Sequence, residues 1–210
     1  DSAWTCAEFG WPCRVEGDLL MSNERWAILI SGRGSNMVRM IDSMSVDVGL
    51  VLTSDLKASG RARALRRGVR VEPFPQKLAE SGRAVLDWVG ADLLLKQAKI
   101  SRIFLLGFMR IVPATFLEKW AGRVLNLHPS LLPLYPGLNS IEKAFAACDR
   151  IGATVHEVVP AVDAGPIVLS RPAVEFHDDV PALADVERLV HIEEQRMVER
   201  VLRKRVRGPW

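Results

Sequence analysis

The sequence is poor in cysteine. Three residues in 210 are too few to frame a disulfide scaffold in a chain of this length. Cys6 and Cys13 have no histidine or cysteine cluster around them, so they make no zinc pattern, and Cys148 stands alone in the body. That usage fits a reducing compartment and a cytoplasmic location. No apolar run approaches the ~18 residues of a membrane span, which excludes a helical membrane protein. The opening residues lack the basic segment and long apolar core of a secretory signal. Low-complexity linkers and internal repeats are also absent, so one domain is expected.

What is present is an ordinary globular balance, 49% hydrophobic and 25% charged residues, in a chain long enough for one domain with a real core. Residues 1–20 follow neither a helical nor a strand period. They are expected to be a non-catalytic N-terminal extension, with the domain running over residues 21–210 from Met21. Asp1, Glu8, Glu16 and Asp18 against Arg14 give the extension a net −3, and the whole chain carries +3. The body, at +6, suits an anionic small molecule; no nucleic acid, membrane or metal partner is expected, and the protein is read as a monomer or homodimer.

Beyond Met21, short apolar runs bounded by turn residues alternate with helical patterns. Strands are predicted at Trp26–Ile30, Val46–Thr53, from Val69, at Ile103–Leu106 and at Val124–His128. Helices are predicted at Asn36–Ser43, Ala58–Arg67, Leu78–Lys99 (with a break near Gly90) and Ala114–Trp120. The alternation implies βαβ units and a fold of the α/β class: a mainly parallel, twisted sheet with helices on both faces. After Pro129 the pattern changes. A Pro- and Leu-rich loop, a short helix around Ile141–Ala147, apolar runs at Ala153–Val159 and Ile167–Val174, and a long helix from Pro181 to Arg203 predict a mixed C-terminal part.

Two places carry chemistry. Ser31-Gly32-Arg33-Gly34-Ser35-Asn36 joins the first strand to the first helix, where free N–H groups and the positive dipole end suit a phosphate. The loop lacks the Lys-Ser/Thr of a Walker A motif, and Met37 replaces the third glycine of a dinucleotide fingerprint. It is either a phosphate site or a plain strand–helix turn. Asn126 and His128, two apart on a strand, project from one face where a parallel strand ends. Ligands of open α/β sheets bind at that edge. An amide and an imidazole there can stabilise an oxyanion, or the histidine can be a hydrogen-bonded structural residue. Asp163, in a turn-like VDAGP segment, is either a turn residue or a carboxylate that meets His128. His156, His177 and His191 look scattered.

Taken in order, Ser31–Asn36, Gly107-Phe108-Met109-Arg110-Ile111, Asn126-Leu127-His128-Pro129-Ser130-Leu131-Leu132-Pro133, Tyr135-Pro136-Gly137 and Asp163-Ala164-Gly165-Pro166 resemble the phosphoribosylglycinamide formyltransferases. These folate-dependent enzymes of purine synthesis belong to a wider formyltransferase superfamily. The resemblance runs over about residues 25–203. It implies a single Rossmann-like formyltransferase domain. It implies formyl transfer from 10-formyltetrahydrofolate to the amine of glycinamide ribonucleotide. Asn126, His128 and Asp163 would be catalytic. Gly34, Ser35, Asn36 and Glu193 would bind the ribonucleotide, and Arg83, Met109, Arg110, Ile111, Val112, Asn126, Val162 and Ala164 the folate. Two departures stand out: Asn139-Ser140-Ile141 where a Thr-His pair is usual, and Glu193-Glu194 where Glu-His is usual. A formyltetrahydrofolate deformylase uses the same chemistry but carries a further N-terminal domain; a methionyl-tRNA formyltransferase carries a further C-terminal one. A non-catalytic folate- or nucleotide-binding module is the reading from another class, opposed by the intact catalytic trio.

Overall fold

Five consecutive buried residues, Trp26 to Ile30, form the middle of the protein. In the computed structural model, which describes residues 24–43, 46–176 and 181–206, they belong to strand β1 (Arg25–Ile30). A strand with helices on both sides has no solvent face, so it reads as a continuous apolar run. Alternate side chains serve two cores. Trp26, Ile28 and Ile30 pack with Met37 and Met40 of α1 (Ser35–Asp42) and Met197, Val198 and Val201 of α6 (Leu183–Val206). Ala27 and Leu29 pack on the other side with Leu95 of α3 (Trp88–Gln97) and Phe116 of α4 (Ala114–Lys119).

The remaining elements are β2 (Asp47–Thr53), α2 (Ser59–Leu65), β3 (Val71–Pro73), β4 (Gln76–Leu78), β5 (Ala84–Leu86), β6 (Arg102–Leu105), β7 (Val124–His128), α5 (Ser140–Ala146), β8 (Ile151–Glu157) and β9 (Ile167–Val174). The main sheet has the order β3-β2-β1-β6-β7-β8-β9. Pairing is parallel from β3 to β7 and antiparallel from β7 to β9. The expected mainly parallel sheet with a mixed C-terminal part is therefore observed, and most predicted elements fall within a few residues of their positions.

One expectation is corrected. The predicted helix from Leu78 to Lys99 is an antiparallel hairpin, β4–β5, followed by a shorter helix. The amide of Gly82 donates to the Ala79 carbonyl, which closes a turn over Glu80-Ser81, and the amide of Ala79 donates to the Arg83 carbonyl. The helix begins where the Asp87 carboxylate accepts from the Val89 amide at 3.1 Å, an N-cap that satisfies a free helix donor. The chain thus breaks at Asp87 instead of Gly90. The extension at residues 1–20, the boundary at Met21, and His177 lie outside the described residues.

Candidate active site

Strand β7 ends at the carboxyl edge of the parallel half and is also the first partner in the antiparallel end. Its position gives it two kinds of neighbour. On its own strand, Asn126 and His128 share a face. Across the antiparallel pairing, Asn126 stands opposite His156 and His128 opposite Thr154. Directly opposed residues project on the same side of a sheet, so the register brings a second imidazole to the site. Asn126 Nδ2 lies 3.2 Å from His156 Nε2.

Asp163 closes the group from the loop between β8 and β9. Its backbone has φ +50°, in the left-handed region that aspartate tolerates better than most residues. Two residues on, Gly165 packs directly on the Glu157 carbonyl, where a Cβ has no room. The loop is thereby held against β8 with its carboxylate turned inward. Asp163 Oδ2 accepts from the Gly137 amide at 2.8 Å and lies 3.4 Å from His128 Nδ1. Oδ1 lies 3.5 Å from His156 Nε2 and from Asn126 Nδ2. The side chain of Asp163 is 11% exposed. His156 holds its carboxyl well below the ordinary range, to about 2, against the opposing effect of burial; the Gly137 amide and His128 add to the lowering. A carboxylate with such partners is ionised across the physiological range.

The proton positions follow from the partners. His128 Nε2 faces the Tyr135 carbonyl at 3.1 Å, and a carbonyl only accepts, so Nε2 carries hydrogen. Nδ1 faces Asp163, so both nitrogens of His128 point at acceptors, an arrangement that an imidazolium satisfies in full. His156 Nδ1 donates to the Glu157 carbonyl at 2.8 Å. Its Nε2 accepts from Asn126 when the ring is neutral and donates to Asp163 when the ring is charged.

These groups lie at the wall of a cleft of about 450 Å³. Met109, Arg110, Ile111 and Val112 form one rim, and Val158, Val159 and Val162 another. Met109 and Ile111 are 67% and 79% exposed among the described residues. A second cavity of about 320 Å³ adjoins it, lined by the glycine loop from Ser31 to Asn36 and by His191 and Glu194 of α6. Both cavities include Gly107, Met109, Leu127 and Pro129. Gly34 has φ +67°, and a Cβ there would stand 2.9 Å from Met37 Cε and 3.2 Å from Gly60 Cα. Glycine is the residue that makes this turn while the loop lies on α2.

A family model described as formyl transferase matches residues 24–202. The chain belongs to the formyl transferase family. It is 32% identical over 183 residues to the phosphoribosylglycinamide formyltransferase of Haemophilus influenzae, covering 84% of each chain. It is 38% identical over 168 residues to the human trifunctional purine biosynthetic protein adenosine-3, covering 77% of this chain and 16% of that one. The chain thus spans about a sixth of that longer relative. The crystal structure of phosphoribosylglycinamide formyltransferase from Anaplasma phagocytophilum superposes with a TM-score of 0.79 at 28% identity, covering 88% of this chain and 87% of the other.

Within this formyl transferase domain, the structure brings Asn126, His128 and Asp163 together, and it places Gly34, Ser35 and Asn36 on the adjoining cavity. Met109 to Val112 and Val162 line the cleft, with Ala164 exposed on the same loop. Two residues lie elsewhere. Arg83 is exposed in the β4–β5 turn and does not line the cleft. Glu193 is buried and turned to Arg200 and Arg196, at 2.8 and 3.4 Å; the carboxylate on the cavity is that of Glu194. One residue along a helix rotates the side chain by about 100°, so the two glutamates have different surroundings. Glu194 Oε2 accepts from Asn36 Nδ2 and pairs with His191 Nδ1, both at 3.0 Å. Sequence reasoning missed His156, His191 and Glu194. For the first, the signal was the alternation Thr154-Val155-His156 on a strand opposite Asn126; for the others it was the i, i+3 spacing on α6.

Proposed function

We propose that the chain transfers the formyl group of 10-formyltetrahydrofolate to the amine of glycinamide ribonucleotide, a step of purine synthesis. The observation that carries this reading is the junction of two cavities, one lined by a glycine loop and the other by an amide, an imidazole and an ionised carboxylate. The ribonucleotide's phosphate takes the amides of Gly34, Ser35 and Asn36 at the helix start. The folate takes the apolar cleft beside Met109–Val112, whose exposed Met109 and Ile111 suit a flat heteroaromatic ring. The reacting atoms then meet where the cavities share Gly107 and Leu127.

The folate supplies the formyl carbon as electrophile, and the ribonucleotide supplies a neutral amine. As the amine attacks, charge develops on the formyl oxygen. Asn126 Nδ2 and the His128 Nε2–H, once the formyl oxygen replaces the Tyr135 carbonyl as its acceptor, are the donors for it. Asp163 holds His128 by Nδ1 and stays ionised while it does so. The attacking nitrogen loses a proton and the folate nitrogen gains one, and the C–N bond to the folate breaks as the carbonyl reforms. His128, directly or through water, is the group placed to move that proton.

The purified chain, given both substrates, is expected to yield formylglycinamide ribonucleotide and tetrahydrofolate in equal amounts. Formate release without need of the ribonucleotide would instead identify a deformylase. Binding of both compounds with no turnover would identify a non-catalytic module.

A further inference from the structure

Ser31 is the first residue of the glycine loop, yet its bonds run to the other cavity. Its amide donates to the Gly107 carbonyl at 3.0 Å. Its hydroxyl accepts from the Met109 amide at 2.8 Å and pairs with the Ser54 hydroxyl at 2.7 Å. Ser54 is in turn tied to the end of β1, its amide donating to the Ile30 carbonyl at 3.0 Å. Met109 belongs to the lining of both cavities. A single side-chain oxygen therefore joins the segment that would hold a phosphate to the segment that forms the rim of the cleft.

We propose that Ser31 is a positioning residue that couples the two subsites, so that an anion on the glycine loop favours folate binding in the cleft. The proposal rests on the assignment of the phosphate to the loop and the folate to the cleft. An anion held by the amides of Gly34 to Asn36 restricts the loop, and with it the place of Ser31 Oγ. The Met109 amide is then held, and the rim from Met109 to Val112 loses freedom before the second ligand arrives. Part of the ordering entropy of the second binding event is removed. By linkage the effect is reciprocal: folate in the cleft favours the anion by the same factor. Ser31 touches neither reacting atom, so its effect appears in binding and coupling and not as a lost donor at the formyl oxygen.

The test uses the full chain with tetrahydrofolate and inorganic phosphate as probes. The dissociation constant of tetrahydrofolate is measured by calorimetry without phosphate and at saturating phosphate. In the wild type, phosphate is expected to tighten tetrahydrofolate binding about 5-fold. In Ser31→Ala the ratio is expected to fall to one. Ser31→Thr, which keeps a hydroxyl, restores it. Ser31→Cys keeps the side-chain shape but offers a weak acceptor, and it is expected to lose most of the coupling, which guards against packing effects of the alanine. A ratio of one in the wild type, or a ratio unchanged in both Ala and Cys variants, overturns the proposal. So does equal weakening of both ligands with the ratio retained, the mark of a merely structural role. Those outcomes leave the functional assignment standing. A wild-type chain that takes up phosphate but no tetrahydrofolate contradicts that assignment, and this inference with it.

Discussion

The parallel half of the sheet ends in a glycine loop on one cavity, whereas the antiparallel end brings a cluster of polar side chains to the other. On the parallel side, a strand–glycine–helix connection lines one cavity, and the atoms proposed to hold the phosphate are the backbone amides of positions 34 to 36. At the antiparallel end, an amide, two imidazoles and a carboxylate meet because β7 and β8 pair in one register and because a glycine seats the Asp163 loop on Glu157. The first is expected to tolerate side-chain change but not a Cβ at Gly34. The second is expected to tolerate neither a register slip nor the loss of one donor. Substitutions that separate backbone from side-chain recognition will break or sharpen that contrast.

The largest effect is expected at the side-chain end. Asn126→Ala should lower kcat about 10²–10³-fold, the usual loss for one oxyanion donor, with the fold intact because the side chain is only half-buried. Steady-state rates together with a melting curve check it. A variant with near wild-type turnover removes Asn126 from the chemistry.

At the backbone end, Gly34→Val should raise the KM for the ribonucleotide about 10–100-fold while tetrahydrofolate affinity measured without phosphate changes little. Valine disfavours positive φ, and its Cβ would press on Met37 and the Gly60 backbone, so the amides no longer converge. Equal loss of both ligands would show that the loop serves the fold as a whole.

Asp163→Asn reads the side-chain end through stability. The folded carboxyl lies at about 2 against an ordinary 3.8. A depressed pKa stabilises the fold above the unfolded value, and the contribution is lost as pH falls from about 4 through 2. At ~1.4 kcal/mol per unit, discounted for screening at a partly exposed site, it amounts to no more than about 2 kcal/mol at neutral pH. The Asn variant should therefore melt lower than wild type at pH 7, and the two should converge toward pH 2. Parallel melting temperatures across that range would show that the site does not hold its carboxylate in this way.

What the sequence made legible follows the same division. The strands of the parallel half carry their burial in continuous apolar runs, and the glycine loop and the i, i+2 pair Asn126 and His128 are local patterns. His156 was not legible in that way, because its place depends on the pairing of β7 with β8 and not on any spacing to Asn126. The sequence predicts a helix across the hairpin at Gln76–Leu86 because LAESGRAVL carries a helical apolar period, while the turn over Glu80-Ser81 and the Asp87 cap decide the structure. Neighbouring glutamates on α6 were indistinguishable in sequence; only the rotation of the helix against α1 separates them.

That rotation supports the smallest prediction, which asks whether the backbone pocket has a side-chain wall after all. Glu194 Oε2 sits between Asn36 and His191, so Glu194→Gln removes a negative charge beside the phosphate loop and weakens two charge-assisted bonds. Loss of charge favours a bound anion, whereas loss of the bonds loosens Asn36, whose amide is one of those proposed to hold it. A charge-assisted bond contributes about 1.5–3 kcal/mol and a neutral one about 1, so the net change per bond is about 1 kcal/mol, offset by the repulsion relieved. The expected result is a rise of about 2–5-fold in the ribonucleotide KM, with kcat unchanged and a weaker dependence on salt. Glu193→Gln instead touches the contacts to Arg196 and Arg200 and should cost about 0.5–1 kcal/mol of stability, read as a lower melting temperature, with little effect on KM. If Glu193→Gln raises KM and Glu194→Gln does not, the acid that serves the ribonucleotide is the one the family resemblance points to. The contacts of Glu194 to Asn36 and His191 would then serve the loop alone, and the backbone end would recognise its ligand without a carboxylate from Glu194.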